Sequence, residues 1–362
     1  MAGDPERKRW AARLAALALP FAALAALELV LRAAGFVYLA LPPIVIWNAH
    51  EDAELFGRDA LHEPDPRTLW APRPGARVPW GVDERVSAHG FRGADPDPGA
   101  HPRILVLGDS STFGYGVRGE ETYAARLQRS LKENGAAAVQ VLNGGLIGAT
   151  IVQGLERYRA IRSGWRPDVV VLAFGAVNEH WGSSGLDDID KLARVRELAL
   201  NPSRSLSRRL RRDLRVLHLA AWVGDLARGG RAALLADRAR RSAWEHRVGE
   251  YLKPGYLRRV SPEQFRSTLE RFRVETAADG ARMILVYMPR TRRTELERPA
   301  VLDYDPVLLS FAAENGLTLV DAHADFRASG LAEDALFVDA YHPSPIGHAR
   351  LAALLLGVLG GS

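Results

Sequence analysis

The feature that most constrains this chain is a recurring unit: a short, unbroken apolar run, then a small or polar turn, then an amphipathic stretch of helix length. Ile104-Leu105-Val106-Leu107 ends at a glycine. Continuous apolarity over so few residues is expected of a strand buried on both faces. Val139 to Leu142, Asp168 to Phe174, Arg282 to Tyr287 and Leu317 to Val320 repeat the pattern. Helical patterns fall between and after them, at Glu121–Asn134, Ile151–Arg162, Asp305–Asn315 and Ile346–Leu359. Strands alternating with helices predict a parallel five-stranded sheet covered on both faces, an α/β fold. The domain spans residues 101–362, interrupted by a helical insertion at about 181–280. Residues 36–100 read as a connector with short strands, one near Val86, and the chain from Glu51 to His101 is rich in Pro, Gly and Asp.

Residues 1–35 have a different character. Leu14 to Leu31 is apolar except for Glu28, close to the length needed to span a bilayer core. Arg7, Lys8, Arg9 and Arg13 precede it. The positive-inside rule then places the N-terminus in the cytoplasm and the large domain outside. A cleaved signal peptide is the rival reading; the apolar run is long for one, so an uncleaved single-pass anchor is expected. Phe36 to Trp47 is too short to span and contains Pro42-Pro43, so it is expected at the interface or on the domain.

Bulk composition enters mainly as exclusion. The chain has no cysteine, which removes disulfides, thiolate catalysis and Cys-ligated zinc. A formal net charge of +5 over 362 residues is too small for a polybasic nucleic-acid binder, and no nucleic-acid partner is expected. Many arginines lie between Arg194 and Arg273. The reading adopted for them is solvated helix faces, including the leucine-faced stretch Leu206 to Leu217, for which a lid or a membrane-surface role was the rival.

The chemistry-bearing residues follow strands. Gly108-Asp109-Ser110 follows the first, Asn143-Gly144-Gly145-Leu146-Ile147-Gly148 the second, and Gly175-Ala176-Val177-Asn178-Glu179 the third. Asp339-Ala340-Tyr341-His342-Pro343 lies near the C-terminus. In an open parallel sheet the carboxyl ends of neighbouring strands share one crevice, so these segments can converge. A serine hydroxyl needs a base, which His342 can be, and Asp339 can fix the imidazole tautomer. A glycine N–H and an asparagine amide suit a developing oxyanion. Gly114-x-Gly116-x-x-Gly119 is no dinucleotide fingerprint, because it begins well past the strand end. Asp321, His323 and Asp325 read as loop polar groups, so no metal and no cofactor are assigned.

These four segments, in this order, resemble blocks I, II, III and V of the SGNH (GDSL) hydrolases, over about Gly90 to Leu356. The resemblance implies a flavodoxin-like three-layer α/β/α sandwich with strand order 2-1-3-4-5. It implies Ser110 as nucleophile and Asp339 and His342 as its partners. The oxyanion hole would be formed by the N–H groups of Ser110 and Gly148 and the side-chain amide of Asn178. Block III departs from the family's Gly-x-Asn-Asp: one more residue precedes Asn178, and Glu179 replaces Asp. The implied activity is serine-dependent hydrolysis of carboxylic esters, with short acyl esters of a glycan or a lipid as substrate; the membrane is expected as partner through the N-terminal helix. An O-acyltransferase on a cell-envelope glycan and a catalytically silent binding protein are the alternatives.

Overall fold

The computed structural model describes residues 5–36, 38, 61–182, 186–200, 210, 213–227, 229–230 and 257–360. A long helix, α1 (Pro5–Ala33), comes first. A two-stranded antiparallel hairpin, β1 (His62–Asp65) and β2 (Leu69–Pro72), opens the main body. The sheet strands and their helices then alternate: β3 (Arg103–Gly108), a short turn of helix α2 (Ser110–Phe113), α3 (Tyr123–Glu133), β4 (Gln140–Asn143), α4 (Ile151–Arg162) and β5 (Val169–Ala173). The insertion contributes α5 (Asp188–Leu200) and α6 (Arg215–Ala227). The rest is α7 (Pro262–Ala278), β6 (Arg282–Tyr287), α8 (Arg292–Glu297), α9 (Asp305–Glu314), β7 (Thr318–Asp321), α10 (Ala322–Ala328), α11 (Glu333–Leu336) and α12 (Pro345–Leu359).

The five parallel strands lie in the order β4-β3-β5-β6-β7. Counted within the sheet this is 2-1-3-4-5, the order the resemblance implied. Residues alternate across the strands, so one strand serves two cores. Ile104 and Val106 face a layer with Tyr123 and Leu127 of α3 and Leu351 and Leu355 of α12. Leu105 and Leu107 face the opposite layer, with Leu155 and Tyr158 of α4 and Phe265, Leu269 and Phe272 of α7. Each such fully buried side chain stabilises the fold by about 1.5–3 kcal/mol before entropy is counted. α7 therefore belongs to the sheet's covering layer, not to the insertion. Its start is set locally: Ser261 accepts from the Gln264 N–H, the Gln264 side chain answers the Ser261 N–H, and Pro262 occupies the first turn.

Two other boundaries shift. Residues 119–121 form a tight 3-10 turn, and α3 begins only at Tyr123, because Thr122 caps it by accepting from the Ala125 N–H. The segment near Val86 makes a single bridge to Arg92 rather than a strand. Residues 61–100 lie against the sheet domain. Leu61, Val78 and Val86 share a small core with Phe113 and Ile147, and the Trp70 indole donates to the Ile147 carbonyl at 2.9 Å.

Exposed Leu19, Phe21, Leu24, Leu29 and Val30 line α1. Among the described residues no helix is long and apolar enough to cross a membrane. The expected span Leu14 to Leu31 falls partly outside them, since the side chains of residues 11–17 are not described. Most of Phe36 to Trp47 and half of Leu206 to Leu217 also lie outside the described residues. α1 and α6 touch: the Glu28 carboxylate accepts from the Val216 N–H at 2.9 Å, and Phe36 meets Trp222 edge-on. The lone acid of the apolar run thus serves the orphan donors at the start of α6.

Candidate active site

The turn that carries Ser110 is built by Asp109. It leaves β3 in extended conformation and accepts the Ser111 N–H at 2.8 Å, which starts α2 immediately. Ser110 then occupies the first helical position, where a backbone N–H has no intrahelical acceptor. Asp109 is fully enclosed, and burial raises its carboxyl above the usual range despite the Ser111 contact. The turn ends at Gly114, whose carbonyl accepts from Trp80 at 3.0 Å and also from the buried Arg92. Arg92 further binds the Phe113 and Val117 carbonyls and pairs with Glu84. A stretch read as connector therefore grips the far end of the Ser110 turn.

Ser110 Oγ lies 2.7 Å from His342 Nε2. His342 Nδ1 lies 2.6 Å from Asp339 Oδ2. Asp339 Oδ1 accepts the N–H groups of Tyr341 and His342 at 3.0 and 2.9 Å, which curls the loop so that imidazole and carboxylate face each other. Burial would raise the Asp339 carboxyl, but the His342 contact and these two amides outweigh it and hold the carboxyl below its ordinary value. The imidazole is buried whereas the Asp339 side chain keeps 41% of its exposure. Tyr115 stacks on the His342 ring at 4.4 Å and 26°, a clamp that sequence reading missed. Nothing in the motif signals it; Tyr115 simply follows the turn that Gly114 closes.

On the other side, Gly145 donates its N–H to Asn143 Oδ1 at 3.0 Å. A Cβ there would come within 2.2 Å of the Phe113 backbone nitrogen, so only glycine lets this loop reach the Ser110 turn. Gly148 has φ of +70°, left-handed backbone that favours glycine. Its N–H has no acceptor among the described residues, whereas that of Gly145 is already committed. The Asn178 amide donates to the Ala149 carbonyl at 3.0 Å, which brings the third block beside the second; an amide carries two donors, so one remains. The extra residue of the third block is absorbed at Ala176, held at φ of +57°. Left-handed backbone at a non-glycine residue costs of order 1 kcal/mol.

Behind this wall sits a charge cluster that sequence reading did not find. Arg259 is fully buried, 2.7 Å from the Asp188 carboxylate. It donates to the Gly148 carbonyl at 2.8 Å and to Gln153 Oε1 at 2.9 Å. Thr150 and Lys191 also serve Asp188. Glu179 accepts the Ile151 N–H at 2.8 Å through one oxygen, while its other oxygen is buried without a partner. Burial pushes its carboxyl up to about 7.

The residues set aside as non-catalytic have other partners. His348 is buried in the first turn of α12 and accepts the Tyr123 N–H at 3.1 Å. Asp321 caps α10, His323 stacks on Tyr287, and Asp325 pairs with Arg350.

Residues 106–350 match the family model described as GDSL-like lipase/acylhydrolase. An arylesterase of Vibrio mimicus is 36% identical over 77 residues, which are 21% of this chain and 38% of that protein. The chain therefore spans well under two-thirds of that relative's length. An alpha/beta hydrolase enzyme from the metagenome of Lake Arreo, Spain, aligns at 20% identity with a TM-score of 0.45, over 72% of this chain and 96% of that one. An acetylxylan esterase from Geobacillus stearothermophilus aligns at 19% identity with a TM-score of 0.42, over 73% of this chain and 97% of that one. With its ordered blocks and a family match across two-thirds of its length, this chain belongs to the GDSL-like lipase/acylhydrolase family.

Proposed function

We propose that this protein is a serine ester hydrolase held at a membrane by its N-terminal helix, with its catalytic body outside the cytoplasm. The observation that carries the reading is the unbroken line from Ser110 Oγ through the His342 ring to Asp339. Ser110 attacks the acyl carbonyl as His342 Nε2 takes the hydroxyl proton. The oxyanion is received by the N–H groups of Ser110 and Gly148 and the free donor of Asn178. The ester C–O bond then breaks, and His342 returns the proton to the leaving alkoxide. Water repeats the sequence on the acyl-enzyme, which frees the carboxylic acid and restores Ser110. Asp339 stabilises the imidazolium in both halves. Short acyl esters of a glycan or lipid are the substrate class. Family membership supports ester chemistry, and the apolar exposed face of α1 supports the anchor.

The test uses the full chain in detergent with p-nitrophenyl acetate and longer esters. Turnover and fluorophosphonate labelling, both abolished in Ser110→Ala, are expected. A folded wild-type protein that neither labels nor turns over would overturn the reading. For the anchor, the full chain should stay with membranes through an alkaline carbonate wash, and extraction by the wash would refute it.

A further inference from the structure

One cation beside the relay has no counter-ion among the described residues. The Arg298 guanidinium lies 4.6 Å from the Trp181 ring centre and 5.7 Å from that of Tyr341. Tyr341 in turn packs against His342 with ring centres 4.4 Å apart. The cation is therefore one aromatic ring away from the imidazole. It also sits against the loop that carries Asn178, since Trp181 is three residues further on. Its Nη1 is buried without a hydrogen-bond partner. Among the described residues the guanidinium forms no ion pair.

The nearest carboxylates in sequence are engaged elsewhere. Glu295 serves Arg290 and Arg327, and Glu297 serves Arg293. The two other arginines of this quarter are neutralised: Arg290 by Asp305, and Arg258 by Asp303. Buried His180, beside them, is held neutral by its enclosure, aided by these cations. Leaving a buried donor of a cation unpaired is costly, and stacking on two rings only partly offsets it. A guanidinium pre-organised between two rings, its fork unspent, is suited to a planar or tetrahedral anion.

We propose that Arg298 binds an anionic group of the substrate, a carboxylate or a phosphate carried close to the scissile ester, so that the preferred substrates are acyl esters of acidic molecules. This rests on the esterase reading of the same site. It gives the Trp181–Arg298–Tyr341 stack a job that a merely structural clamp would not perform, namely discrimination by substrate charge.

The experiment compares p-nitrophenyl hemisuccinate with p-nitrophenyl butyrate, an anionic and a neutral ester of similar length, on the full chain. In Arg298→Gln the ratio of kcat/KM for the anionic over the neutral ester should fall roughly 10- to 100-fold. Arg298→Lys should restore part of that ratio. If both esters slow by one common factor, Arg298 only positions the two loops and the proposal is wrong. Competition then separates the sources of the anion. Inhibition by methyl glucuronate that depends on Arg298 points to an acidic glycan, and such inhibition by glycerol phosphate points to a phospholipid headgroup. Inhibition by neither overturns the proposal.

Failure of the esterase reading would look different: no fluorophosphonate labelling and no turnover of either ester in the wild type. The anion site is then read by calorimetry with methyl succinate. Binding lost in Arg298→Gln sustains the site without the chemistry, and equal heats in both proteins reject it.

Discussion

Two arginines flank the candidate site, each lying over a tryptophan, and they have opposite surroundings. Arg259 stands behind the Gly148 wall, over Trp70 at 5.7 Å, with a carboxylate, a backbone carbonyl and a side-chain amide to receive its donors. Arg298 stands beside the His342 wall, over Trp181, with none of these. Arg259 is a completed structural element: its charge is balanced inside the protein, and what it offers the site is a fixed Gly148 peptide. Arg298 is balanced by nothing the described chain supplies. A charge that finds its partner within the fold sets geometry; one that does not is available to a ligand.

The comparison can be broken at several points. The largest effect should come from the relay itself. His342→Ala should lower kcat by at least ~10⁴-fold, since base and nucleophile act as a unit. A loss below tenfold would remove His342 from the chemistry. Next is the completed arginine. Arg259→Met takes from the interior Asp188 carboxylate its closest counter-ion and leaves it Lys191 and Thr150, so unfolding in urea should show up to about 3–5 kcal/mol of lost stability. Adding Asp188→Leu together with Lys191→Met, which removes the whole buried cluster, should recover much of it; no recovery would mean that the ion cluster is not what the wall rests on. Asp339→Asn should cost less than His342→Ala, of order 10²–10³-fold in kcat. Its carboxylate is part-exposed, and water can take over some of the imidazolium stabilisation. A loss equal to that of His342→Ala would show the exposure to be irrelevant.

The smallest effect concerns Glu179. The unfolded chain releases this proton near the ordinary carboxylate value, the folded chain only near 7. Between those values the folded state holds the extra proton, so stability falls as pH rises through the window. Thermal midpoints measured from pH 4.5 to 8 should decline more steeply in wild type than in Glu179→Gln. Parallel curves would mean that Glu179 ionises normally.

How much of this was legible beforehand differs by element. β6 and α4 match their sequence boundaries to the residue. An apolar run opened by Arg282 and closed ahead of Pro289, and a Thr150–Gln153 capping box, are local signals. Ser110, Asp339 and His342 were legible because the turn that brings Asp339 under His342 spans only three residues. The β1–β2 hairpin was not. His62-Glu63-Pro64-Asp65 has no apolar alternation, and it closes through Leu69 at φ of +69° and an indole bonded 77 residues away. Arg259 was invisible for a similar reason. It lies in an arginine-rich stretch that reads as solvent-facing, and its burial is decided by Asp188, 71 positions earlier. Partners that distant leave no periodicity behind.

Arg92 and Trp80 hold the end of the Ser110 turn from a part of the chain that runs between the N-terminal helix and the sheet domain. The stretch between that helix and the sheet domain is thus also part of the working interior, and this bears on where the chain can be cut. A cut before Leu61 should keep Trp80 and Arg92 joined to the Ser110 turn they brace, whereas one between Gly93 and His101 should leave the serine without a covalent link to them. The same single chain, severed some forty positions apart, would give a working enzyme or a spent one.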